Sequence, residues 1–284
     1  MPDHPVWILL FDRVQSLDVA GPYEVFAGAD EALGRGCYTP RTYSLAGGPV
    51  ASESGLTFAS DPLPRRIPRG LTLVVPGGHG ARTTAPRDPE LVDAVRRIAA
   101  RAERVLTVCT GTYLAAAAGL TAGRRVTTHW NHAARLAERH PDTIVDPDPL
   151  YVRDGALWSS AGVTAGIDLA LAIVEHDHGA ELAQLIARHL VMFLRRPGGQ
   201  SQFATPVWTE RATTGPIRAA QLRIDADPAG DHRLDRLARQ ANMSPRHFAR
   251  CFTAETGVPP GQYVARVRVD AARRALETTD DTVD

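Results

Sequence analysis

Short, nearly all-apolar runs closed by glycine or proline alternate with stretches of helical spacing over the first two-thirds of the chain. Val6–Phe11 is apolar almost throughout, as a strand covered on both faces requires. Leu17–Leu33 carries Leu17, Val25 and Phe26 on one helical face, with Pro22 in its early turns or at a kink. Arg41–Leu45 is a second strand and Leu71–Val75 a third, stopped by Pro76-Gly77-Gly78-His79-Gly80. Pro89–Arg101 reads as a helix opened by proline. Val105–Val108 is a fourth strand, running through Cys109-Thr110-Gly111 into the alanine-rich stretch Tyr113–Ala118. Asn131–His140 is helical and ends at Pro141. Tyr151–Arg153 and Ala156–Trp158 flank Asp154-Gly155, a strong hairpin signal. Two helices follow, Thr164–His178 and Ala180–Phe193, divided by Gly179. This alternation predicts an α/β fold with a largely parallel sheet.

Residues 195–216 hold Arg-Arg-Pro-Gly-Gly and three prolines, so a linker is placed there between a domain at 1–194 and a second at 217–284. Beyond it the pattern is helical only. His232–Ala241 turns Leu234, Leu237 and Ala238 inward, Asn242-Met243 makes a turn, and Ser244-Pro245 caps the next helix. Pro245–Thr256 puts Phe248 and Phe252 on its core face and Arg246, His247, Ala249 and Arg250 outward, and Gly257 closes it. Two short helices around a tight turn, the second basic near its start, form a helix-turn-helix suited to the major groove. Arg246 or Arg250 would meet guanine edges, and the other arginines phosphates.

Composition narrows the chemistry. The 284 residues carry no net charge, and all 32 basic residues are arginine. Schiff-base lysines and Walker-type phosphate loops are thereby excluded. Between His232 and Arg274, nine arginines (233, 236, 239, 246, 250, 266, 268, 273, 274) face Asp235, Glu255 and Asp270, a local balance of +6 that suits a polyanion. No apolar run reaches the roughly 18 residues of a membrane span, the longest being Ile167–Val174, and the N-terminus lacks a signal-peptide pattern. Cys37, Cys109 and Cys251 cannot all pair, which makes a reducing cytoplasm the expected compartment. The histidines show no ligand spacing, so neither a metal site nor a cofactor is expected.

The stretch Val105–Leu114 predicts a strand, a pinned residue and a helix, which would present Cys109 at the carboxyl edge of the sheet. The helix start is expected to favour thiolate, making Cys109 the reactive thiol rather than Cys37 or Cys251. The N–H groups of Gly77, Gly78 and Thr110 would face a developing oxyanion, and Asp18, on another loop of the same edge, would shuttle a proton.

Leu17-Asp18-Val19-Ala20-Gly21-Pro22-Tyr23-Glu24-Val25-Phe26, Val75-Pro76-Gly77-Gly78, Val108-Cys109-Thr110-Gly111 and Thr127-Thr128-His129-Trp130 occur in order over about 120 residues. Together they resemble the ThiJ/PfpI superfamily, glutamine-amidotransferase-like proteins of flavodoxin-like fold, and within it isocyanide hydratase. The resemblance implies an elbow cysteine at Cys109, a carboxylate partner at Asp18, a ligand-facing His129 and a homodimer. Asn131 stands where a glutaminase triad would want glutamate, and Thr110 where the protease-like members carry histidine, which argues against both activities. Leu234, Leu237-Ala238, Ala241, Met243-Ser244-Pro245-Arg246, Phe248, Arg250, Phe252, Glu255-Thr256-Gly257 and Pro259-Pro260 resemble the first half of the AraC-type DNA-binding domain, and Tyr263–Leu276 its connecting helix. The resemblance implies one of that domain's two helix-turn-helix units, with the chain stopping about where the second would begin; the residues after about Leu276 are polar and acidic and are expected to fray. A ThiJ/PfpI-like sensor joined to such a reader resembles the GlxA-type transcriptional regulators. The expectation is a regulator that binds promoter DNA and an unknown small-molecule effector. A hydratase-like enzyme using Cys109 and Asp18 is the main alternative, and a first domain that only dimerises is another.

Overall fold

The computed structural model describes residues 4–33, 36–194, 199–200 and 212–278, with the backbone alone for 226 and 273–278. The chain divides into two compact units, Met1–Gln200 and Ser201–Asp284.

The first unit runs β1 (His4–Leu9), α1 (Ser16–Leu33), β2 (Tyr38–Ser44), β3 (Gly48–Ala51), β4 (Thr57–Pro62), β5 (Thr72–Val75), α2 (His79–Arg82), α3 (Pro89–Ala99), β6 (Arg104–Val108), α4 (Gly111–Ala117), β7 (Arg125–Val126), α5 (Trp130–Arg139), β8 (Ile144–Val145), β9 (Tyr151–Asp154), β10 (Leu157–Ser160), α6 (Ala165–His178) and α7 (Ala180–His189). Among the described residues eight strands form one sheet, ordered β3-β4-β2-β1-β5-β6-β10-β9, and β7 pairs with β8. From β4 to β10 neighbouring strands run parallel, while β3 and β9 close the two edges antiparallel. Helices flank this sheet, and every residue of β5 and β6 is buried, which is why both are mostly apolar, with Thr72, Arg104 and Thr107 the polar exceptions. The expected α/β class is the one observed.

Three local expectations change. The edge pair β3 and β4 has no counterpart in the sequence reading, because these strands are largely exposed and carry Pro49 and Pro62 in place of an apolar run. The hairpin turn is Gly155-Ala156 rather than Asp154-Gly155, with Asp154 paired to Leu157 inside the ladder. Asp154 is thereby free to accept from the Arg125 N–H at 2.8 Å and from Arg124 at 2.9 Å. Helix α7 stops at His189 instead of Phe193, and Val191 beyond it is left-handed, with φ of 56°.

The second unit holds α8 (Gly215–Ala226), α9 (Leu234–Gln240), α10 (Pro245–Thr256) and α11 (Pro260–Thr278) around Ile217, Ile224, Leu237, Ala238, Phe248, Phe252 and Tyr263. Helix α8 begins within the span read as a linker, of which 195–198 and 201–211 lie outside the described residues. The tail beyond Thr278 lies outside them as well. Leu234, expected inward, is 41% exposed at the first position of α9, and Ala249, expected outward, is half-buried. Among the described residues no helix is long and apolar enough to cross a membrane.

Candidate functional site

Strands β1, β5, β6 and β10 are adjacent and parallel, so their carboxyl ends open on one edge of the sheet. Each delivers one part of a site: Asp18 in the first turn of α1, Gly77 and Gly78 after β5, Cys109 after β6, and Gly162-Val163 after β10. Cys109 has φ of 55°, a left-handed conformation that costs about 1–3 kcal/mol for a residue with a Cβ. Its neighbours hold it there. At Gly162, itself at φ of 93°, a Cβ would stand 2.0 Å from the Cys109 Cβ, so the chain after β10 packs directly on the elbow.

Asp18 is fully buried. Its Oδ2 accepts from the Gly77 N–H at 2.9 Å and its Oδ1 from the Val163 N–H at 2.8 Å. Burial pushes its pKa up to about 7, against those two bonds and one from the Cys109 thiol, with the Glu53 charge adding to the rise. Cys109 is 7% exposed. Burial drives its thiol well above the ordinary value, the charge of Asp18 adds to this, and bonds from the Thr110 N–H and hydroxyl, together with Arg82, act in the opposite direction. The expectation of a thiolate is therefore corrected: the loss of water around the sulfur outweighs the seven-residue helix that starts beside it. The resting pair is a neutral thiol facing a carboxyl group that exchanges its proton near neutrality.

Two of the three expected oxyanion donors are already occupied. Gly77 donates to Asp18, and the Gly78 N–H donates to Thr110 Oγ1 at 3.0 Å, while that hydroxyl donates to the Gly78 carbonyl at 3.1 Å. Of these three N–H groups, that of Thr110 is the one bonded to the sulfur. His129 caps α5, its Nδ1 accepting from the Asn131 N–H at 3.3 Å. Burial, then the Arg82 charge, lowers the pKa of both His129 and its ring neighbour His132, the latter to about 4, so both are neutral at neutral pH. Thr128 Oγ1 donates to the Cys109 carbonyl at 2.8 Å, which fastens the Thr127–Trp130 loop to the elbow.

In the second unit the turn between α9 and α10 uses Asn242 at φ of 53°. Ser244 Oγ caps α10 by accepting from the His247 N–H at 3.3 Å, Pro245 takes the first helical position, and Gly257 ends the helix at φ of 75°. Phe248 and Phe252 are fully buried, whereas Arg246, His247 and Arg250 are exposed. Arg233 and Arg236 pair with Asp231, and Arg239 with Asp235. Among the described residues no carboxylate holds Arg246 or Arg250, and the Arg250 guanidinium meets only the His247 Nδ1, at 3.1 Å.

Comparison with known proteins agrees with both halves. The model of the DJ-1/PfpI family matches residues 4–176, more than half of the chain. The chain belongs to the DJ-1/PfpI family. A second model, described as a helix-turn-helix domain, matches residues 237–284. The HTH-type transcriptional regulator Rv1931c of Mycobacterium tuberculosis is 36% identical over 228 residues, covering 75% of this chain and 82% of that protein. Isonitrile hydratase of Pseudomonas putida is 35% identical over 185 residues, covering 65% of this chain and 77% of the enzyme. In fold, the chain is similar to a THiJ/PfpI family protein from Pseudomonas syringae, with a TM-score of 0.60, 23% identity, and coverage of 85% and 90%.

In this DJ-1/PfpI chain the sheet edge brings together Asp18, Gly77, Gly78, Cys109 and Thr110, and the neighbouring loop brings His129. Sequence reading missed Val163, whose N–H completes the hold on Asp18, and Gly162, which packs on the elbow. A glycine at the end of a strand was the available signal. It missed Arg82 and Gln200 too, for neither stands in a motif, and each reaches its place only through the fold.

Proposed function

We propose that this DJ-1/PfpI chain is a DNA-binding transcriptional regulator whose first unit senses a small molecule at the Cys109–Asp18 elbow and whose α10 reads DNA. The observation that carries the reading is the outer face of α10, where Arg246 and Arg250 stand exposed and unmatched by any carboxylate among the described residues. An arginine held by an acid has spent its charge. One that is not is available to phosphate or to guanine. The protein acts in the cytoplasm, where its three cysteines stay reduced, and as a homodimer, so that two readers address two half-sites. A gel-shift titration of the chain on the promoter of a neighbouring gene tests this reading. Arg246→Ala and Arg250→Ala should each cost roughly 1–3 kcal/mol where they read bases. Affinity unchanged in both variants would rule α10 out as the reader.

A second reading has its own observation, the Cys109 thiol donating to a carboxyl group able to relay a proton. A cysteine-dependent hydratase would use this pair, and Cys109→Ala and Asp18→Asn would each abolish its turnover. We expect no hydration of an isocyanide above background, because the Gly77 and Gly78 donors are engaged inside the site. Turnover lost in both variants would promote the enzyme.

A further inference from the structure

Helix α2 starts directly after the Gly77-Gly78 turn and ends at Arg82. Arg82 is half-buried, and its Nε donates to the Gly78 carbonyl at a long 3.4 Å. The Thr110 hydroxyl donates to that same carbonyl at 3.1 Å, and the Gly78 N–H returns a bond to Thr110 Oγ1 at 3.0 Å. One peptide oxygen thus ties the guanidinium to the residue that follows Cys109. Among the described residues Arg82 makes no ion pair, and its two terminal nitrogens have no hydrogen-bond partner.

The acids of the site do not answer this cation. Glu53, on the loop after β3, has Oε1 taken by Gln15 Nε2 at 2.8 Å and Oε2 by the His79 N–H at 2.6 Å. Asp18 is bonded at both oxygens and holds its proton up to about pH 7. His129 and His132 are half-buried, with ring centroids 5.7 Å apart, and both are neutral at neutral pH. The charge of Arg82 acts on both rings, on the Cys109 thiol and on the Tyr113 hydroxyl, so the guanidinium lies within electrostatic reach of all four. A cation that has lost part of its water and gained no acid sits at a cost that an arriving anion would relieve.

We infer that Arg82 is the anion-binding residue of the elbow site, and that the small molecule sensed there carries a single carboxylate, which docks on the free fork of the guanidinium beside the Thr110 turn. The inference rests on the proposed sensing role of the first unit and names the class of molecule sensed. The planar fork matches both oxygens of a carboxylate at once. The count of charges selects a monoanion. Both histidines are neutral, and Arg135 and Arg139 of α5, which also act on Tyr113, are exposed, where water and salt screen them. A phosphate dianion would bring a second charge into the half-buried site with no second cation there to meet it.

The test compares two alkylating agents on Cys109 of the full chain at neutral pH, read by peptide mass spectrometry. Iodoacetate and iodoacetamide are nearly equal in size, form the same S–C bond and expel iodide, and differ in charge. The burial and pKa of the sulfur therefore cancel in the ratio of their rates. With N-acetylcysteine in the same solution as the reference thiol, the ratio of iodoacetate to iodoacetamide should be higher at Cys109 by roughly five-fold, the size expected of a half-exposed ion pair. Arg82→Gln should bring it down to the reference value, and Arg82→Lys, which keeps the charge and loses the fork, should fall between. In the wild-type chain, which serves if the variants fail to fold, sodium propionate should slow alkylation by iodoacetamide, while propionamide and sodium chloride of equal ionic strength should not. A wild-type ratio equal to the reference, or a raised ratio that survives Arg82→Gln, would overturn the assignment of Arg82. Inorganic phosphate protecting Cys109 better than propionate would overturn the carboxylate. A gel shift of the same protein on a promoter duplex separates this from the regulator reading. A chain that ignores the duplex removes the sensor role and leaves the anion site to the alkylation ratio, whereas a chain that binds it with a ratio at the reference value removes the anion site alone.

Discussion

At Cys109 and Asp18 two effects oppose each other, and the magnitudes decide. Three donors and the start of α4 favour negative charge at the elbow, but the site is dry, and burial moves both groups toward their neutral forms. The 13C signal of the Asp18 carboxyl should therefore titrate with a midpoint of about 7. A midpoint at the ordinary 3.8 would contradict the burial found here. The sign for stability follows from the raised value. Between those two pH values the folded chain keeps a proton that the unfolded chain releases, so the contribution is complete below about 4 and is lost as pH climbs through about 7, over a span of roughly 4 kcal/mol. The thiols give a second prediction. Cys109 is 7% exposed and Cys37 is 3% exposed, whereas Cys251 is only partly buried, with its Sγ 3.6 Å from His247 Nε2. Limiting iodoacetamide at neutral pH should label Cys251 first, on the order of ten-fold faster than Cys109, reversing the order that the sequence suggests. Peptide mass spectrometry reads this directly, and Cys109 labelled first would restore the sequence-based order.

At the scale of elements, the end of the sheet remote from the elbow is locked by one carboxylate. Asp177, in the last turn of α6, accepts both Arg104 guanidinium nitrogens of β6, at 2.8 and 2.7 Å, and the Tyr38 hydroxyl of β2 at 2.6 Å. Burial opposes its ionisation, yet the bonds from Arg104 and Tyr38 prevail and hold its pKa below the usual value. Here the sign is the reverse of that at Asp18: the stabilisation is present above the unfolded pKa and fades in acid. Asp177→Ala leaves Arg104, with 5% of its side chain exposed, with only the exposed Glu103, 3.7 Å away, as a counter-charge and with no hydrogen-bonded carboxylate. That should cost about 3–5 kcal/mol in chemical denaturation. A loss under about 1 kcal/mol would mean that water reaches the pair, as at an exposed ion pair. In α10 the same logic works through the ends: Ser244 and Gly257 mark its limits in the sequence and serve as its caps in the fold, because capping depends on the few residues on either side.

For the whole molecule, the proposed homodimer has a plain consequence: light scattering at micromolar concentration should give twice the chain mass of 30.6 kDa, and a monomer would remove it. Much of this protein is legible from its residues in order. Buried parallel strands read as apolar runs because both their faces are covered, and the elbow, its aspartate and the helix-turn-helix lie in contiguous motifs whose geometry is local. The edge strands β3 and β4 escaped that reading because a half-exposed strand needs few apolar residues. What the tertiary structure alone decided is the environment. Whether a cysteine beside a helix start is thiolate or thiol depends on how much water the sheet, Gly162 and Val163 exclude, and those neighbours come from a strand more than forty residues away. The seat of Gln200 is of the same kind. Nothing next to it in the chain marks it out, and its partners Thr127, Thr128 and Trp130 become neighbours only when the fold closes, for hydrogen bonding and desolvation act through space and hydrophobic periodicity acts along the chain.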